Sequence, residues 1–217
     1  MVTHIINRQE ICLLPEKAVF WKDKEMLILA DLHISKAGHF RKGGIPIPSG
    51  IHEEDLNILS LLLHNTQAKH LLFLGDLFHS VPNAEWEVFS DWLDQWLQLG
   101  EGRNATLVMG NHDLHGRHSL PNALNVCDML QMEGFLFTHE PMPPTTIEEG
   151  LYNLSGHLHP ALIMKGKGKQ QLRLPCFYFG EKQAYLPAFG KFTGLMPIYP
   201  DGHEDVFVIA EGKIFSW

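Results

Sequence analysis

Five short apolar runs, each breaking off at an aspartate, asparagine or histidine, constrain this chain more than any other feature. Residues 26–30, 70–74, 105–109, 135–138 and 151–155 are of strand length and carry almost no alternation of apolar with polar. A strand with one wet face alternates; a continuous run marks a strand buried on both faces. The runs end in Asp31-Leu32-His33, Gly75-Asp76, Gly110-Asn111-His112-Asp113, His139 and Gly156-His157-Leu158-His159-Pro160. Such strand ends are where α/β proteins keep their function. Alternation along an extended backbone would put Asp31 and His33 on one side, about 7 Å apart. Gly156 before and Pro160 after the histidine pair supply a bend that lets His157 and His159 face one point.

The remaining segments organise themselves around these runs. Residues 5–14 and 18–21 read as two short strands about a turn at Pro15-Glu16. Residues 35–50 are rich in Gly and Pro, with Phe40-Arg41-Lys42 in the middle, and read as a loop beside the first strand end. A helix is predicted over 51–64, with Ser49 as cap and Leu56, Leu59 and Leu63 along one face. Glu53, Glu54 and Asp55 in its first turn favour the helix dipole and are expected to face water. Over 82–99, Trp86, Phe89, Leu93 and Trp96 recur at helical spacing between acids, a core-packing stripe. Beyond residue 160 the chain turns β-rich and basic, with strands expected at 161–165, 170–174, 176–179, 206–210 and 213–217. No repeat, low-complexity tract or linker interrupts it, so residues 1–217 read as one domain.

Bulk properties exclude several classes. No apolar run approaches the roughly 20 residues of a membrane span, and residues 1–14 lack the apolar core of an export signal. Cys12, Cys127 and Cys176 are odd in number and widely spaced, as free thiols in a reducing cytoplasm would be. A formal net charge of -8 argues against coating nucleic acid by bulk electrostatics. It leaves room for a nuclease, because bound cations make a site locally positive. Fourteen histidines make a metal site worth seeking.

Carboxylate, amide and imidazole without cysteine form a hard-to-borderline ligand set, suited to Mn, Fe, Zn or Mg. Asp31, His33, Asp76, Asn111, His139, His157 and His159 are more groups than one ion takes from protein. Two divalent ions, one carboxylate bridging them, account for the number. Ions roughly 3.5–4 Å apart can hold a phosphoryl group and activate water for in-line attack. Each element alone is an ordinary turn or core residue; five in series, each closing a strand, are not.

Taken together, D-x-H, G-D, G-N-H-D, the lone histidine and G-H-x-H resemble the signature of the calcineurin-like metallophosphoesterases, in that family's order from residue 31 to 159. The resemblance implies an α/β fold, a four-layer αββα sandwich of two mixed β-sheets flanked by helices. It implies that Asp31, His33 and His159 hold one ion and Asn111, His139 and His157 the other, with Asp76 between them. His112 would protonate the leaving oxygen, Asp113 would orient His112, and Asn111 would also face substrate. Manganese is the first expectation, then Fe, Zn or Mg.

Gly75-Asp76-Leu77-Phe78-His79 lacks the Arg-Gly of the protein Ser/Thr phosphatases and is similar instead to the DNA-processing nucleases of the superfamily, which makes His79 an accessory candidate. The context 14–21, 30–33, 38–46, Leu186-Pro-Ala-Phe-Gly190 and Phe192-Thr-Gly194 resembles the small bacterial PdeM metallophosphoesterases. That family is associated with a DNA ligase and a helicase in DNA repair, and its label is endonuclease. DNA is therefore the expected substrate, with Arg41 and Lys42 meeting its phosphates. Lys165, Lys167, Lys169, Arg173, Lys182 and Lys191 form either a nucleic-acid track or a solvated hairpin. The alternative substrate is a small phosphoester such as a cyclic nucleotide or dinucleoside polyphosphate. A non-catalytic scaffold should have lost ligands, and none is missing.

Overall fold

The structure is a computed structural model that describes residues 1–36, 51–79, 82–166, 168 and 170–217. Two mixed β-sheets pack face to face. The first contains β1 (Val2–Ile6), β2 (Gln9–Leu14), β3 (Ala18–Trp21), β4 (Met26–Leu29), β5 (His70–Leu74), β6 (Asn104–Val108) and β7 (Leu124–Cys127), in that spatial order. Its first four strands are antiparallel, and β4 to β7 run parallel. The second is built on β8 (Leu130–Met132), β9 (Phe135–Thr138), β10 (Tyr152–Ser155), β11 (Pro160–Lys165), β12 (Gln171–Phe179), β13 (Gln183–Tyr185) and β14 (Met196–Ile198), with β15 (Asp205–Ala210) and β16 (Lys213–Ser216) added beside β12. Parallel β9, β10 and β13 form its centre.

The apolar runs are buried on both faces, as their lack of alternation requires. In β4, Leu27 and Leu29 face one core while Met26 and Ile28 face the other; Leu71 and Phe73 against Leu72 and Leu74 repeat this in β5. The first core lies under α1 (Ile51–Thr66) and α2 (Ala84–Gln98), where Leu59, Leu63, Phe89, Leu93 and Trp96 meet the sheet. The second lies between the sheets, where Trp21, Ile28 and Leu74 meet Phe135, Phe137, Leu154 and Phe177. Both described α-helices thus cover the first sheet. On the second sheet's outer face a smaller cluster, Leu162, Cys176, Val206 and Val208, is buried. All three cysteines are free.

Three local expectations change. The first hairpin turns at Asn7-Arg8, both with positive φ (47° and 64°), so residues 5–14 are two strands rather than one. Two successive left-handed residues suit the twist of a tight hairpin. Strand β12 runs through Pro175 without a break, since Pro175 sits where the strand leaves β11 and begins to pair with β13 and β15. Glu53 and Glu54 are exposed, but Asp55 is only 2 % exposed, turned inward on the face that carries Leu59 one helical turn later. No described helix is long and apolar enough to cross a membrane.

Candidate metal centre

All five predicted strand ends converge on one edge of the sandwich, three from the first sheet and two from the second. The parallel pairing of β4 with β5 continues past both strands through the site residues. Asp31 donates its N–H to Gly75 O (3.1 Å), His33 to Asp76 O (2.9 Å) and Ile34 to Leu77 O (2.9 Å). The backbone there is not extended. Asp31 (φ 56°), His33 (51°), Asp76 (49°), His157 (67°) and His159 (50°) are all left-handed. Each such residue other than Gly is strained, and a cluster of them marks a place where the fold over-determines geometry for function. The turning-in of Asp31 and His33 therefore comes from left-handed backbone rather than strand alternation. The bend at the histidine pair is likewise carried by His157 and His159 themselves.

The glycines before these residues serve close approach. A Cβ on Gly75 would run into the His139 ring, and one on Gly156 would lie 2.6 Å from Asp31 Oδ2. These two strand ends are therefore packed against site residues carried by strands of the opposite sheet.

Two clusters result, Asp31–His33–His159 and Asp76–His139–His157, with ligand atoms in each within 4.8 Å of one another. In the first, His159 Nε2 lies 3.2 Å from Asp31 Oδ1 and 3.4 Å from His33 Nε2. In the second, His139 Nε2 lies 3.4 Å from Asp76 Oδ1, 3.1 Å from Asn111 Oδ1 and 3.1 Å from His157 Nδ1. Asp76 faces both, since its Oδ2 is 3.9 Å from His33 Nε2. Asn111 joins the second cluster without being one of its charged members.

The donor chemistry fits divalent ions. His139 Nδ1 donates to Leu74 O (2.9 Å) and His159 Nδ1 to Gly194 O (3.2 Å), which leaves Nε2 of each ring as a lone pair aimed inward. Asp31 Oδ1 is buried with no hydrogen-bond partner. Asp31 and Asp76 are 0 % and 3 % exposed, and no described lysine or arginine ion-pairs with either. Two buried carboxylates and converging lone pairs are costly unless a cation sits among them. Burial holds His33 down to about 2, keeping it neutral. Burial also opposes charge on Asp76 and His139, but their mutual attraction wins: Asp76 falls to about 2 and His139 rises to about 9, a proton standing where positive charge is wanted.

His112 stands at the mouth, its ring 34 % exposed and its Nε2 3.8 Å from Asp76 Oδ2, while its backbone N–H donates to Asp76 Oδ1 (2.9 Å). The His79 ring lies beside it, centroids 4.5 Å apart, and 5.3 Å from His33. Asp113 is fully buried and works below the site: its carboxylate accepts N–H from Phe78 (2.9 Å) and Gly110 (3.0 Å), so its hold on His112 is through the turn rather than the ring. Burial raises Asp113 to about 6, the backbone donors opposing.

Arg41 and Lys42 lie outside the described residues, as do Lys167 and Lys169. Lys165 and Arg173 are exposed on the β11–β12 hairpin, whereas Lys191 is paired with Glu54. Lys36 was not singled out by the sequence. It is half-buried and electrostatically coupled to Asp31 and Asp76, with burial pulling its ammonium down. Its signal was its place three residues beyond His33. A pocket of about 310 Å³ adjoins the second cluster, lined by Met109, Asn111, Leu114, His139, Asp128 and Glu140.

The calcineurin-like phosphoesterase family model matches residues 25–159, the span that holds both clusters together with His79, Asn111, His112 and Asp113. The chain is similar to the crystal structure of Pseudomonas putida nuclease MPE, with 29 % identity and a TM-score of 0.83, covering 100 % of this chain and 99 % of that one. Weaker likeness extends to AQ665, a protein of unknown function from Aquifex aeolicus (20 % identity, TM-score 0.41, 66 % and 82 % covered). It also extends to Yfce, a phosphoesterase from E. coli (12 % identity, TM-score 0.40, 88 % and 96 % covered). No curated protein matches. With the motif, the fold and the converging ligands in agreement, the chain belongs to the calcineurin-like phosphoesterases and is a metal-dependent hydrolase of phosphoester bonds.

Proposed function

We propose that this protein is a two-metal phosphodiesterase whose substrate is DNA, working in DNA repair, with residues 1–217 as one catalytic domain. The observation that carries the reading is the pair of adjacent clusters with Asp76 between them, a member of the second through Oδ1, 3.4 Å from His139 Nε2, and reaching the first through Oδ2, 3.9 Å from His33 Nε2. Asp31, His33 and His159 would hold one ion, Asn111, His139 and His157 the other, and Asp76 would serve both. Manganese suits these oxygen and imidazole donors. When bound, the ions supply Lewis-acid stabilisation of the phosphoryl group and lower the pKa of water.

The protein's own groups do the rest. Asp76 fixes the backbone of His112, so the imidazole is held at the mouth, where it gives its proton to the departing oxygen. Asp113 holds the turn that carries it by joining Gly110 to Phe78. His79 packs beside His112 and limits its rotation. Lys36, Arg41 and Lys42 would meet non-bridging or neighbouring phosphate oxygens. A nucleic-acid substrate is supported by full-length similarity to a nuclease. A ligase and a helicase, with which the resembling bacterial family is associated, are the partners this reading implies, in the cytoplasm.

A second reading has its own support. Asp128 and Glu140 border the pocket beside Asn111 and His139, and Met109 and Leu114 add apolar surface to its lining. That side would accept an uncharged, base-sized group more readily than a further phosphate, which suits a small phosphodiester.

The test re-loads metal-stripped protein with Mn and compares it with His112→Ala on a bis-aryl phosphodiester, a single-stranded oligonucleotide and a cyclic nucleotide. Oligonucleotide cleavage that falls roughly 10²–10⁴-fold in the variant is expected. Turnover confined to the small esters would replace DNA by the second reading.

A further inference from the structure

The loop between Ala188 and Met196 touches the metal centre on one side only. Ala188 bridges to Ala30, Phe189 donates its N–H to Ala30 O (2.8 Å), and Gly190 donates to Asp31 O (3.2 Å). A Cβ on Gly190 would strike Leu32 O, so the loop lies flat against the Asp31–His33 segment. Four residues on, Gly194 O accepts the Nδ1 proton of His159 (3.2 Å), and Met196 N–H donates to His159 O (3.0 Å). Two of the three members of the first cluster thus lean on this loop. Asp76, His139 and His157 make none of their hydrogen bonds to it.

The loop is clamped from its far side by charges that the mechanism does not use. Asp55, buried on α1, accepts the Lys191 N–H through Oδ2 (3.3 Å), while its Oδ1 is buried without a hydrogen-bond partner. Lys17, half-buried at the β2–β3 turn, donates Nζ to Gly190 O (3.4 Å) and is attracted by Asp55. The Lys191 ammonium pairs with Glu54, one residue before Asp55. A lysine and an aspartate taken out of water on two separate elements, and meeting at one loop, are expensive to keep unless they fix something.

We propose that Asp55 and Lys17 are positioning residues for the first metal: through the Ala188–Met196 loop they set the Asp31 backbone and the His159 ring tautomer, and so tune one ion independently of the other. The proposal rests on the two-metal reading above. Groups that orient ligands from behind commonly change metal affinity 10- to 100-fold.

Calorimetric titration of metal-stripped full-length protein with Mn tests it, in two backgrounds that each retain one site. In a His139→Ala background, which leaves the first cluster, adding Asp55→Ala or Lys17→Met should weaken Mn binding about 10- to 100-fold. In a His159→Ala background, which leaves the second, the same changes should leave Mn affinity within about threefold. Asp55→Asn, which keeps an acceptor for the Lys191 N–H, should restore part of the loss. Equal weakening in both backgrounds, or no weakening in either, overturns the proposal. Because Lys17 and Asp55 lie on different elements, misfolding of one variant leaves the other as the test. Failure of the unsubstituted protein to take up two ions would instead sink the two-metal reading on which it rests.

Discussion

Asp31, His33, Asp76, His157 and His159 show how single candidate ligands are turned inward at a cost to the backbone. Each non-glycine residue in the left-handed region is strained by about 1–3 kcal/mol, and five occur within one centre. The identities of these residues were readable from the sequence because apolar runs cannot end in Asp, Asn and His five times without cause. Their conformations were not, because the left-handed residues sit where strand ends far apart in sequence meet, as in the bonds from Asp31 N–H to Gly75 O and from His157 N–H to Asp31 Oδ2. Gly75 shows the same logic from the opposite direction. Its φ is 74° and its missing Cβ makes room for the His139 ring. Gly75→Ala should lower stability by about 2 kcal/mol or more and weaken metal binding by the Asp76–His139–His157 cluster most. Chemical denaturation and Mn titration of the same preparation would show it. A variant with normal Mn uptake would mean that the ring can move aside cheaply.

Among the elements, α1 illustrates both the reach and the failure of pattern reading. The leucine stripe located the helix, yet three acids in its first turn look alike, and only Asp55 is turned inward. The clue was its position four residues before Leu59. Burial raises Asp55 to about 6, despite the Lys191 N–H and Lys17, which favour its charge. An acid whose folded pKa is raised binds its proton more tightly in the native state. Its contribution to stability is therefore fully present below the unfolded value of about 4 and is lost as pH climbs through about 6. Asp55→Asn should remove that slope. Relative to the unsubstituted chain, the variant should gain on the order of 2–3 kcal/mol between pH 4 and pH 7. Paired urea melts at the two pH values measure the difference, and parallel curves would show that Asp55 stays ionised when buried. The hairpin at Asn7-Arg8 escaped notice because neither residue is glycine, although Asn is the side chain that tolerates positive φ best.

At the level of the whole molecule, two sheets must be held in register so that strand ends from both meet within a few ångströms. Trp21 of β3 and Phe135 of β9 pack edge to face across the inter-sheet core, centroids 5.1 Å apart, both fully buried. Phe135→Ala should cost about 3–5 kcal/mol, a lost transfer term plus a cavity, while the activity of the molecules that remain folded stays near normal. Thermal melts and turnover per folded molecule check both halves; a selective loss of turnover would place the metal centre under control of this core. The sequence by itself determined the five buried strands, the two amphipathic helices, the candidate ligands and the family, because these depend on periodicity and on which atoms can bind a cation. Tertiary structure alone decided that Asp31 and His159 lean on one loop, that Asp55 and Lys17 brace it, and that Asp76 faces two clusters. Those facts depend on contacts between residues 35 to 173 positions apart, and local periodicity carries no information about which strand ends a closed sandwich will bring together.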